Sequence, residues 1–174
     1  MDSLDLYGYM TLARHRLLDR ARGLTPEQYT QEFPFGLKSV RRTLNHMAGA
    51  EWYLFGQFRG GPEGSYPFST ERVPDVATLE RLWGELERET VKTIETERDW
   101  HRPIAFRVPT PGRLVFRVSA SPTKIFTQFT YHEVHHRSQV MAMLRQLGVP
   151  AENLDFILLA CEAIEETEGG RGGG

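Results

Sequence analysis

Apolar residues recur at helical spacing over four long stretches of the chain and at every second position over one short stretch. In SPTKIFTQFTYHEVHHRSQVMAMLRQLG, steps of three and four place Ile125, Phe129, His132, His136, Val140, Met143, Leu144 and Leu147 on one helix face. Ser121 is set to cap this helix, Pro122 suits its first turn, and Gly148 and Pro150 end it. A first helix is expected from Ser3 to Arg22, with Tyr7, Met10, Leu17, Leu18 and Ala21 inward and Gly23 as terminator. TPEQYTQEFPFG reads as a turn and an irregular connection. A second helix follows from Leu37 to Phe58, with Val40, Leu44, Met47, Ala48, Leu54, Phe55 and Phe58 inward. After the Gly- and Pro-rich loop RGGPEGSYPFSTERVP, Asp75 can cap a third helix that buries Val76, Leu79, Trp83, Leu86, Val91 and Ile94. Beyond Trp100 the period shortens to two. Ile104, Phe106 and Val108, then Leu114, Phe116 and Val118, predict a hairpin about PTPGR. A shorter helix is expected over Asn153–Glu166, with Phe156, Ile157, Leu159 and Ile164 inward.

These elements predict an all-α four-helix bundle with a short β-hairpin between the third and fourth long helices and a short C-terminal helix. At least one crossover must be long, through the hairpin. No internal repeat is visible. One domain over 1–168 and a disordered Gly-rich tail over 169–174 are expected.

One feature of the fourth stripe is anomalous: two of its inward positions are imidazoles. An unpaired polar nitrogen in a core costs about 1–3 kcal/mol. Side chains four apart on a helix are about 5–6 Å apart at Cβ. His132 and His136 can therefore converge on one ion, with metal–nitrogen bonds of about 2.0–2.1 Å. A metal would turn an unfavourable burial into a site.

Composition narrows the setting. The chain has 174 residues, 40% hydrophobic, which suits one globular core. A formal charge of −2 supplies no field for nucleic acid or an acidic membrane. No apolar run is long enough to span a bilayer, and MDSLDLYGYM lacks the pattern of a signal peptide. The lone Cys161 excludes an internal disulfide and suits a reducing cytoplasm. Among Ile157, Leu158, Leu159, Ala160 and Ile164, it reads as a small buried hydrophobe.

A catalytic metal usually takes three protein ligands and keeps one position open. Two third ligands compete. HEVHH matches the zinc metalloprotease pattern H-E-x-x-H, with Glu133 as general base and a later residue such as Glu162 as ligand. Glu133 is equally what a partly exposed helix position carries, and no further His follows His136. The other candidate is His46, off the main stripe of its helix, with Gly49 and Ala50 leaving room on the following turn. His15 and His101 read as solvated. Trp52, Tyr53, Phe55 and Phe58 read first as core and second as a pocket wall. Tyr131 can offer a hydroxyl near the pair or equally face a neighbouring helix.

SVRRTLNHMAGAEWYLFG followed by YHEVHHRSQVMAMLRQLG resembles the DinB/YfiT-like superfamily. The resemblance runs from the first helix to about Leu159. It rests on a Leu-x-His helix and a later His-x-x-x-His-Arg-x-Gln helix. It implies a four-helix bundle that holds a divalent metal on His46, His132 and His136, and it leaves His135 out. Ser138 departs from the usual Gly, away from any ligand. Glu51 matches a common acidic position. The resemblance also implies thiol-dependent S-transfer with a bacillithiol- or mycothiol-type thiol on an electrophilic substrate. A metal-dependent hydrolase or a non-catalytic, stress-associated metal-binding protein are the alternatives. Zinc or nickel is expected ahead of iron or manganese, and a homodimer is expected. Arg41, Arg42, Arg137 and Arg145 are candidates by composition for binding acidic groups of the thiol, although each also suits a solvated face.

Overall fold

The structure is a computed structural model describing residues 2–110, 114–150 and 152–162. Four long helices form the bundle: α1 (Ser3–Arg22), α3 (Val40–Gly56), α4 (Val76–Thr96) and α5 (Pro122–Gln146). A one-turn helix α2 (Pro26–Thr30) and a 3-10 turn over Gln57–Arg59 flank α3. Strands β1 (Ile104–Pro109) and β2 (Val115–Ala120) pair antiparallel, with Ile104 opposite Ala120 and Pro109 opposite Val115. Helix α6 is a single turn, Phe156–Leu159.

The starts of the long helices follow local chemistry. Asp2, Ser39, Asp75 and Ser121 each accept a backbone N–H of the first turn through the side chain. Thr25 and Gln28 close a reciprocal capping box on α2, inside the stretch expected to be irregular. Helix α3 begins at Val40 and not at Leu37, because Gly36 and Lys38 adopt left-handed backbone (φ 56° and 71°). Helix α5 then ends at Leu147, and Gly148 turns the chain at φ 79°.

Helix α1 packs against α4 and α5, and α3 packs against the same two. Helices joined in sequence therefore sit across diagonals, α1 from α3 and α4 from α5. The second crossing is why the α4–α5 connection is long enough to include a hairpin. The inward residues expected on α1 and α3 are all buried. On α4, Val76, Leu79, Trp83, Leu86 and Ile94 are buried and Val91 is partly so. Among the described residues, no helix is long and apolar enough to cross a membrane.

The C-terminal segment departs from expectation. Among the described residues of the expected Asn153–Glu166 helix, α6 covers only Phe156–Leu159, and Ile157 is 69% exposed. Cys161 is exposed rather than buried. A single turn presents too narrow a face to cover that run: Leu159 leans on the core and Phe156 stands edge-on to Tyr9, while Leu154, just before the turn, is buried. Ile164 and the 169–174 tail lie outside the described residues.

Candidate metal centre

Helices α3 and α5 pack side by side, and this brings His46 against His132 and His136. Their ring centroids are 4.4–4.8 Å apart. Taking one nitrogen from each ring, the three atoms lie within 4.8 Å of one another. His46 Nε2 and His132 Nε2 approach to 2.9 Å. Two nitrogens bound at about 2.0–2.1 Å to one tetrahedral ion would sit roughly 3.3 Å apart, so the cluster is close to ligating geometry. No other group of three such residues stands this way among the described residues.

The electrostatics favour the ligating form. Burial pushes His132 down to about 3, helped by the charges of His136, His46 and His135. His46 and His136 are lowered as well, chiefly by burial. A neutral imidazole keeps the lone pair a metal needs. His136 Nδ1 lies 2.9 Å from Gln139 Oε1, an oxygen that can only accept. With that oxygen accepting, the His136 proton would sit on Nδ1 and Nε2 would be left free for an ion. The residues present fit a divalent metal.

Behind the centre lies a feature the sequence reading missed. Arg14 of α1 is 1% exposed and sits between Glu51 of α3 and Glu133 of α5, which are 0% and 1% exposed. Its Nη2 is 2.8 Å from Glu51 Oε2 and its Nε donates to Glu133 Oε1 at 3.3 Å. The Glu51 contact is an ion pair without aligned hydrogen-bond geometry. Tyr7, Trp83 and Thr90 all donate to Glu51. The guanidinium also stacks on Trp83, 4.3 Å from its ring centroid. Glu133 is thus not the partly exposed residue foreseen. Its carboxylate is bonded to Arg14 in the core, and burial raises its pKa. Glu51 is a buried hub tied to α1 and α4. The signal available in sequence was an unpaired Arg14 on the apolar stripe of α1, between Met10 and Leu17–Leu18.

The other candidates separate clearly. Glu162 is exposed and does not join the cluster. His15 is 54% exposed beside Glu87, and His101 is exposed. Tyr131 is 71% exposed. Phe55 and Phe58 are core, whereas Trp52 and Tyr53 are half-buried. Arg137 is buried, its Nη2 donating to Tyr9 Oη at 2.7 Å, so it is not the solvated cation foreseen. Arg42, one turn before His46, is exposed beside Glu32. The room at Gly49 is not vacant: a Cβ there would overlap the Tyr66 hydroxyl. Tyr66 stands edge-on to Trp52, so the loop after α3 presents a phenol beside the turn that follows His46. Nothing in the pattern of the loop marked Tyr66.

The family model described as DinB family matches residues 1–168. Among curated proteins, the chain is similar to Protein DinB of Bacillus subtilis (strain 168). Identity is 22% over 157 residues, covering 87% of this chain and 89% of that protein.

Proposed function

The chain belongs to the DinB family, and from that premise we propose that it holds one divalent metal ion on His46, His132 and His136 and serves thiol-dependent S-transfer. The observation that carries this reading is the convergence of three neutral imidazoles from two packed helices, with no carboxylate among them. An ion held only by neutral ligands keeps its full charge and acidifies a thiol or water that binds it. Zinc or nickel suits such a nitrogen set, and iron or manganese is also accepted.

The chain's own residues define the rest. Among the described residues no cysteine reaches the cluster, so the sulfur nucleophile is external, a low-molecular-weight thiol of the bacillithiol or mycothiol kind. Transfer forms one sulfur–carbon bond on the electrophile. The displaced group leaves with its bonding electrons, and the thiol proton passes to solvent. The histidines do not take that proton, since burial disfavours their charged form. Arg42, paired with Glu32 one turn before His46, is the exposed cation nearest to it in sequence and the candidate for an acidic group on the thiol. Tyr66 and Trp52 supply an aromatic wall for the electrophile. A protease-like hydrolysis is disfavoured because Glu133, the base it needs, is engaged by Arg14. The protein acts in the cytoplasm, as a homodimer.

The test begins with metal per chain in the purified protein and in His46→Ala, His132→Ala and His136→Ala. Each variant should lose the ion, and Glu162→Ala should keep it. The cobalt-loaded protein is then titrated with bacillithiol or mycothiol and a model electrophile. A sulfur-to-metal charge-transfer band and a conjugate seen by mass spectrometry are expected. Loaded protein that shows neither at saturating thiol would overturn the transferase reading and leave hydrolysis or a purely binding role.

A further inference from the structure

The metal cluster is built beside a fourth imidazole. His135 neighbours His136 in sequence, and their ring centroids are 4.8 Å apart. Both rings touch one side chain, Gln139. Its Oε1 lies 2.9 Å from His136 Nδ1, and its Nε2 lies 2.9 Å from His135 Nε2. An amide offers an acceptor at one end and donors at the other. Bound this way, it assigns opposite states to the two rings. His136 must carry its proton on Nδ1, which frees Nε2. His135 must accept at Nε2, so its neutral form carries the proton on Nδ1 and its Nε2 lone pair is occupied.

We propose that Gln139 is the positioning residue that selects His136 over His135 as the metal ligand, and that Gly36 leaves the room Gln139 needs to reach both rings. This rests on the three-histidine metal reading above. Turning the amide by 180° would reverse both assignments. Nε2 of the amide would then donate to His136 Nδ1, moving the neutral ring's proton to Nε2 and closing the ligating lone pair. Two self-consistent arrangements therefore exist, and only one ligates through His136 Nε2.

Gly36 makes room for the amide. A Cβ at Gly36 would fall 2.8 Å from Gln139 Oε1, 3.0 Å from its Cδ and 3.5 Å from its Nε2. The amide thus packs close to the backbone of the α2–α3 connection at Gly36, and a side chain there would push it off. Gly36 also occupies φ 56°, where a side chain is disfavoured independently. The connection between two helices that carries no ligand thereby reaches the centre through one side chain.

The experiment measures zinc affinity by competition with a chromophoric chelator, and histidine tautomers by long-range ¹H–¹⁵N correlation in the metal-free protein. Gln139→Leu removes both hydrogen bonds at similar volume and should weaken zinc about 10–100-fold. Gln139→Glu keeps an acceptor for His136 and should stay within about threefold of wild type, which separates hydrogen bonding from packing. Metal-free wild type should show His136 protonated on Nδ1, and Gln139→Leu should show a tautomer mixture. Gly36→Ala should move the same two readouts in the same direction. His135→Ala should leave affinity within about threefold, since that ring is held out of the ligand set. Unchanged affinity in Gln139→Leu, or His136 protonated on Nε2 in wild type, would overturn the proposal. Failure of wild type to bind any metal would instead overturn the three-histidine reading, and the tautomer measurement would still decide the role of Gln139.

Discussion

Removing Arg14 should cost far more than neutralising Glu133, and the difference should depend on pH. Arg14 is the cation between two carboxylates that are 0% and 1% exposed. Arg14→Met leaves both without it in the core. Breaking a buried pair from one side costs about 3–5 kcal/mol. For a chain of this size each kcal/mol moves the midpoint by about 2–4 °C, so the melting temperature should fall by about 6–20 °C. Glu133→Gln is different. Burial raises the Glu133 pKa, Arg14 opposes that rise, and the Glu51 charge adds to it. The native state therefore binds this proton more tightly than the unfolded chain. The stability so gained is complete below the ordinary value of 4.5 and is lost as pH rises through the native value. The loss can reach about 1.36 kcal/mol per pH unit for one proton. Glutamine mimics the protonated acid and has no such dependence. Urea unfolding of metal-free protein, from about pH 5 upwards, reads both effects. At the acid end Glu133→Gln should match wild type within about 1 kcal/mol, and it should gain relative to wild type as pH rises. A Glu133→Gln penalty equal to that of Arg14→Met at about pH 5, or a wild-type slope retained in Glu133→Gln, would refute the reasoning.

Two further outcomes are expected. Gly49→Ala should dislodge Tyr66 from its place against α3 and cost about 1–3 kcal/mol by overpacking. Adding Tyr66→Ala should recover most of that loss, and a double-mutant cycle with no coupling would show that the contact is unimportant. Light scattering should give about twice the chain mass of 20.0 kDa. Leu114, Val115 and Phe116 on the hairpin and Tyr131 and Val134 on α5 are the exposed apolar groups that a second copy can cover. A monomer mass at all concentrations would remove the dimer.

The bundle was readable because each long helix keeps its apolar stripe in register with its burial. Val40, Leu44, Met47 and Ala48 on α3 are 0–1% exposed, as their spacing requires. Other features, Tyr66 among them, were not readable. Helix α2 is too short to show a period, and only its capping box marks it. The run Phe156–Leu159 has core composition but lacks enough helix to bury it, so Ile157 faces out. Glu133 is an acidic residue between two histidines, and nothing local shows that Arg14 reaches it from 119 positions away. His46 was readable only in combination with the later pair. Alone it is one half-buried histidine, and its meaning comes from the packing of α3 on α5.

That packing is held from two sides. On α5, His132 points to the cluster while Glu133, about 100° around the helix, points to Arg14. On α3, His46 faces the cluster while Glu51 faces Arg14, Trp83 and Thr90. Either helix could slide or roll by a fraction of a turn if only the imidazoles were engaged. With a fixed cation behind both, a roll that moves a histidine also strains a buried ion pair. Helix α1 supplies none of the three histidines, yet Arg14 ties the registers of α3 and α5 together. The polar groups in this core therefore do more than offset their own burial. Beside the apolar packing of Leu44, Met47, Val140 and Met143, they add contacts that hold only in the register that brings the three histidines together.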